Sequence, residues 1–257
     1  MRKVSKWIAL IVYIITLTIN FLGAAGKIGY SQKEVSDSLP NLFVPGPRTF
    51  AIWGLIYLMT FVFLAYQFFA KSQQDKDFIE EKINFPFVLM CLLNMGWIIV
   101  FSQRLIPLST ILIIGFLLVV YWIMDIIMVW KPNTLARKLA VKFPFGLYAG
   151  WLAVAVVANI TATLVDIKWN RFGLAEDLWL YIILAVVIIL LSLLSFKYRC
   201  PAIPAVGIWA YWGILQQHQT VHNSAYPVAI WILYAGMAVF AVDLVYLVLK
   251  TFGKEKA

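Results

Sequence analysis

Charge is scarce in this chain. Only 13% of its 257 residues are Asp, Glu, Lys or Arg, and the mean hydropathy is +0.88. Soluble domains carry about 25% charged residues, so a water-facing globule is excluded. Strict in–out alternation is also missing, which excludes a membrane β-barrel. Cysteine is nearly absent: Cys91 lies inside an apolar run and Cys200 just after one. Neither has the spacing of a disulfide framework or a zinc site. The two histidines, His218 and His222, are four apart and would share a helix face. A third ligand nearby is lacking, so no metal is expected. The chain has no Ser/His/Asp set, no phosphate-binding loop and no paired catalytic carboxylates. It is therefore not expected to be an enzyme, and it requires no cofactor.

What fills the sequence instead is apolar runs, with 63% hydrophobic residues overall. The runs are long enough for helices that cross a bilayer. They predict an all-α, polytopic membrane bundle of about eight transmembrane helices, at 7–26, 50–70, 84–103, 108–130, 142–165, 178–196, 202–217 and 227–249. The seventh is short and opens with Pro201 and Pro204. The start, MRKVSKWIALIVYIITL, has the basic and apolar regions of a secretory signal. Its apolar run continues to about residue 26, longer than a signal usually needs, so a retained first helix is expected.

The formal charge of +9 lies in short patches between the runs, where it sets orientation rather than binding nucleic acid. With the N-terminus inside, 15 of the 21 Lys and Arg fall at the inside ends, in 1–6, 71–83, 131–142, 197–201 and 250–257. The other six fall outside, in 27–49, 104–107 and 166–177. Both termini are therefore expected in the cytoplasm, with the chain integral to the plasma (inner) membrane. The loop at 27–49 contains PNLFVPGPR, too rich in Pro and Gly for a helix. A long loop against a membrane is either disordered or a lid over a site.

Three helices carry aromatic and amide residues at helical spacing. Phe50, Trp53, Tyr57 and Thr60 share one side of the second span. Phe87, Met90, Asn94, Trp97 and Phe101 share one side of the third. In FPFGLYAGWLAVAVVAN, Tyr148, Trp151, Ala155 and Asn159 form one face of the fifth span. Gly146, Gly150, Ala153 and Val157 form a second face of small residues, which lets another helix approach closely. An amide facing lipid stays unsatisfied at a cost of several kcal/mol, so Asn94 and Asn159 should point inward, with the aromatics beside them. Phe50, Trp53, Tyr57, Asn94, Trp97, Tyr148, Trp151 and Asn159 are accordingly the candidate pocket residues. Asp125 and Asp243 lie inside apolar runs, where an acid costs about 2.5–3.5 kcal/mol on insertion scales. They are candidates for a proton relay, beside the plainer role of hydrogen-bonded structural acids. A sterol-type pattern, Leu244-Val245-Tyr246 followed by Lys250, is of a kind common by chance.

Three of these segments, PGPRTFAIWGLIY, LLNMGWIIVF and FPFGLYAGWLAVAVVAN, resemble in order the motifs of the tryptophan-rich sensory proteins, the TspO/translocator-protein group. The resemblance covers about residues 1–170 and leaves three further spans, dividing the chain into a 1–170 five-helix bundle and a 171–257 extension. It implies a pocket beneath the loop joining the first two helices. It also implies ligands such as porphyrin or haem, benzodiazepine-like compounds and sterols, with Trp53 and Trp151 at the positions of the group's pocket tryptophans. The sequence departs from the pattern in having Phe50 three residues before Trp53, and no tyrosine directly after Pro144.

The leading expectation is a multi-pass membrane protein that binds a flat apolar ligand, tetrapyrrole-like, for a sensory or ligand-handling role. A proton-coupled solute transporter and a membrane regulatory scaffold are the alternatives. The expected partners are membrane lipid and a small apolar ligand, and a homodimer is compatible with the sequence.

Overall fold

The computed structural model describes residues 4–131 and 133–252. Arg2, Lys3, Lys254 and Lys256, counted in the charge asymmetry, lie outside the described residues. Eight long helices and one short one follow in order. They are α1 (Lys6–Ala24), α2 (Gln32–Asp37, the short one), α3 (Ile52–Phe69), α4 (Gln73–Ser102), α5 (Ile106–Trp130), α6 (Leu135–Asp166), α7 (Glu176–Tyr198), α8 (Ala202–Thr220) and α9 (Pro227–Phe252). A 3₁₀ turn, Pro47–Ala51, leads into α3. No strand occurs among the described residues.

Seven of the long helices have the length and composition to cross a membrane. The eighth, α8, differs because it ends in a polar run from Gln216 to Thr220. It buries Ile203, Val206, Ala210, Tyr211 and Ile214 against its neighbours, so protein rather than lipid supplies much of its surroundings. Elsewhere the apolar surface faces outward: Leu58, Phe61, Ile111, Leu118, Leu193 and Val242 are all exposed. Asn20, Asn84, Asn94 and Asn159 are buried instead. Water would not tolerate this distribution, whereas a bilayer requires it. The chain is an integral membrane helix bundle.

The starts expected for the third and fifth spans, at 84 and 142, are corrected by the structure, because α4 begins at Gln73 and α6 at Leu135. Hydropathy misses these polar extensions, but their caps are plain. Ser72 accepts from Asp75 N–H, and Thr134 accepts from Arg137 N–H. Each extension joins its span through one π-type turn, at Ile79–Ile83 and Lys138–Lys142. The cause is proline. Pro86 and Pro144 have no N–H, and their rings crowd the carbonyls of Lys82 and Ala140 four residues back, which widens the ladder. The two extensions are tied by Arg137, whose Nη2 and Nε donate to the Asp75 carboxylate at 2.5 and 3.0 Å, while Tyr66 Oη donates to it at 2.5 Å.

Helix α6 is the hub. It packs against α5, α3, α8 and α7, and every residue from Pro144 to Val154 is buried. The small face does what its composition implied. A Cβ on Gly146 would sit 2.3 Å from Cys200 Sγ, and one on Gly150 would sit 3.1 Å from Val206 Cβ. Glycine at these positions lets the start of α8 lie directly on α6. The extension is thus packed on the same helix that carries the third aromatic face.

Candidate functional site

The three aromatic faces converge. Trp53 on α3 is the centre, with its ring centroid 5.9 Å from Trp97 on α4 and 6.2 Å from Trp151 on α6. The Trp97 ring is nearly parallel to it, at 30°, and the Trp151 ring nearly perpendicular, at 88°. Phe50 meets Trp151 edge-on at 6.2 Å, and Phe101 stacks on Trp97 at 5.5 Å. Offset and edge-to-face contacts of this kind are the favoured aromatic geometries. Between these rings lies a cavity of about 60 Å³. Small residues of α6, Ala155, Ala158 and Ala162, make room for it on one side. The polar lining is Gln32, Ser36, Asn41 and Asn159, and no charged residue lines it among the described residues.

Five of the eight candidate residues line this cavity: Phe50, Trp53, Trp97, Trp151 and Asn159. Asn159 is held by three bonds. Its Oδ1 accepts from Trp97 Nε1 at 3.0 Å, and its Nδ2 donates to Ser109 Oγ at 2.9 Å and Thr110 Oγ1 at 2.6 Å. The amide therefore fixes the tilt of one cavity wall. The Trp151 indole N–H, by contrast, is buried without a partner, an unspent donor in a residue that lines the cavity.

Tyr57, Asn94 and Tyr148 share the faces but sit outside the lining, in a buried chain of hydrogen bonds. Tyr57 Oη donates to Asn20 Oδ1 at 2.7 Å, Asn20 Nδ2 donates to Asn94 Oδ1 at 2.9 Å, and Asn94 Nδ2 donates to Tyr148 Oη at 3.2 Å. Tyr57 and Tyr148 still touch the central indole, at 5.7 and 6.2 Å. This network crosses α1, α3, α4 and α6 and supports Trp53 from beneath. Asn20 is the member that sequence reasoning missed, although Tyr13, Thr16 and Asn20 share one buried face of α1 at helical spacing.

Asp125 and Asp243 lie away from the cavity. Asp125 forms a half-exposed ion pair with Lys197 at 3.0 Å, and Asp243 accepts from Ser192 Oγ at 2.7 Å. His218 and His222 do lie side by side, 5.0 Å between ring centroids, but His218 Nε2 is committed to the Leu42 carbonyl at 2.9 Å. A carbonyl only accepts, so Nε2 carries the proton.

That last bond belongs to a set that closes the cavity. Residues 27–51 fold over the aromatic rings, with α2 and the strap from Leu39 to Pro45 supplying the roof. α2 is held by a reciprocal cap between Ser31 and Glu34. The strap and the turn that follows it are fastened to α8 at three points: His218 to Leu42 O, Gly46 N–H to Gly213 O at 3.0 Å, and Trp209 Nε1 to Thr49 O at 2.8 Å. Thr49 sits so close to Gly213 that a Cβ there would lie 1.9 Å from its Oγ1. The last third of the chain thereby holds the roof of a site built from the first two thirds.

No curated protein and no solved structure matches the chain. A family model described as TSPO-like protein matches residues 6–246, which extends past the fifth span into α9. With the match running from the first helix to the last, this membrane helix bundle belongs to the TSPO-like protein family.

Proposed function

We propose that the chain binds a flat, conjugated, largely apolar ligand between Trp53, Trp97 and Trp151, and that this binding serves a sensory or ligand-handling role. The observation that carries the reading is the convergence of three tryptophans from three helices on a cavity with no charge in its lining. Flat aromatic walls favour flat ligands through offset stacking.

Size sets a condition. Sites for drug-sized ligands enclose roughly 300–1,000 Å³, whereas this cavity encloses about 60 Å³. The conformation described is therefore a closed one, and ligand uptake requires the strap to lift. A porphyrin or haem also carries carboxylates, for which the lining has no cation. Its acidic edge would have to point outward past the strap.

The test is a titration of the detergent-solubilised full chain with protoporphyrin, following tryptophan quenching. Saturable quenching at micromolar ligand is expected, weakened at least tenfold in Trp53→Leu and Trp151→Leu variants that remain folded, in line with the ~1.4 kcal/mol that one decade represents. Absence of saturable quenching in folded wild-type protein overturns the tetrapyrrole reading.

A further inference from the structure

A second concavity lies on the flank of the bundle, between α6 and α7 and against the strap. It encloses about 550 Å³, within the range of ligand sites. Its inner walls are aliphatic: Val157, Ile160 and Leu164 on α6 face Leu180 and Ile183 on α7. Leu42 and Phe43 of the strap close one end. Nothing in these walls resembles the flat aromatic slot around Trp53, and their shape suits a flexible hydrocarbon chain.

The mouth is different in kind. Trp169 and Trp179 meet edge-to-face at 5.0 Å, and Trp179 Nε1 donates to the Arg171 carbonyl at 2.9 Å. Tryptophans of this sort mark the depth at which hydrocarbon gives way to headgroups. Two cations and one carboxylate stand at the mouth, Lys168, Arg171 and Glu176, an excess of one positive charge. Arg171 is paired with Glu176 at 3.4 Å, but Lys168 has no ion-pair partner among the described residues. Lys168, Arg171 and Phe172 all hold left-handed φ angles, 54°, 56° and 53°. At Lys168 this is the left-handed cap that ends α6, with Lys168 N–H on Val165 O at 3.0 Å and Trp169 N–H on Leu164 O at 2.9 Å, so the helix end itself sets where Lys168 stands.

We propose that this groove binds an anionic amphiphile, its hydrocarbon chain lying between α6 and α7 and its phosphate or carboxylate on Lys168. A neutral sterol would leave the unpaired cation unused, and a free anion would leave the aliphatic walls empty. The ligand can come from two sources, a membrane phospholipid with an anionic headgroup or a free single-chain amphiphile. The site does not depend on the aromatic cavity, although Asn41 of the strap touches both.

The experiment is native mass spectrometry of the detergent-solubilised full chain, titrated with phosphatidylglycerol, phosphatidylcholine, dodecyl phosphate and inorganic phosphate. One equivalent of an anionic amphiphile should bind about tenfold more tightly than phosphatidylcholine, as befits one charge-assisted contact. Lys168→Gln should abolish that preference, and Ile160→Trp, which fills the groove, should weaken binding of whichever anionic amphiphile the wild type takes. Lys27→Gln, an exposed cation in the same loop region as the strap, should change neither. Tight phosphatidylglycerol alone assigns the site to membrane lipid, and dodecyl phosphate alone assigns it to a free amphiphile; both uphold the proposal. Wild-type binding in both groove variants overturns it, as does full competition by inorganic phosphate or equal loss in Lys27→Gln.

Discussion

If the strap is the gate of the aromatic cavity, loosening its fastenings on α8 should open the site without touching its walls. The perturbation is a pair of substitutions, Trp209→Phe and His218→Leu. They remove the side-chain donors to Thr49 O and Leu42 O and leave the Gly46–Gly213 backbone bond in place. A hydrogen bond contributes about 0.5–1.5 kcal/mol net, so the pair should destabilise the closed strap by about 1–3 kcal/mol. That corresponds to about a 5- to 150-fold rise in the open fraction. The apparent affinity for a ligand that binds only the open state improves by the same factor until the open state dominates. Hydrogen exchange of the amides in 39–46 reads the opening directly, and stopped-flow tryptophan quenching by protoporphyrin reads the association rate. Trp231→Phe, which changes a lipid-facing tryptophan far from the strap in sequence, is the control. Unchanged exchange in 39–46 with the double variant folded would refute the idea that α8 holds the gate.

The remaining expectations concern the frame around the site. Gly150→Leu should force α8 off α6, because even a Cβ there lies 3.1 Å from Val206 and 3.3 Å from Ile203 Cα; a loss of about 1–3 kcal/mol is expected in thermal unfolding in detergent. Asp75→Asn removes the counter-charge of the partly buried Arg137 guanidinium between α4 and α6, and should cost about 1–3 kcal/mol by the same assay. Ser31 donates to the Glu34 carboxylate from its backbone N–H and from Oγ, both at 2.8 Å, and these bonds hold its pKa below the ordinary value. A depressed carboxylate pKa stabilises α2 above the ordinary carboxylate pH, and that contribution disappears as pH falls through the lowered value. Protection factors for the amides of α2 should fall over that acid window in the wild type and stay flat in Glu34→Gln.

Several features were legible because one local rule decides them. Apolar runs announce spanning helices, and a 3.6-residue period placed Trp53, Trp97, Trp151 and Asn159 on faces that do meet. The same period put Tyr57, Asn94 and Tyr148 on those faces too. Periodicity gives the direction a side chain takes from the helix axis, but not its depth along the axis. These three lie about one turn deeper, where Asn20 is available as a partner. The starts at 84 and 142 failed for a different reason. In the extensions the buried Ile79, Ile83 and Val141 are scattered among charged residues, so no long apolar run announces the helix, and the proline-driven π turns leave no mark in hydropathy.

The sequence by itself determined the solvent of this protein and the character of its site. Scarce charge and long apolar runs permit only a bilayer, and the buried amides and indoles have to face inward because lipid offers them no hydrogen bonds. Tertiary structure alone decided that α8 fastens the loop above the cavity. The bond from Trp209 to Thr49 spans 160 residues, and that from His218 to Leu42 spans 176. No local pattern encodes a contact of that separation, since it exists only once α8 has settled on the glycines of α6. The same holds for the flank groove. Its walls come from two helices and its roof from a loop more than a hundred residues earlier, so only the packed bundle places Lys168 at its mouth.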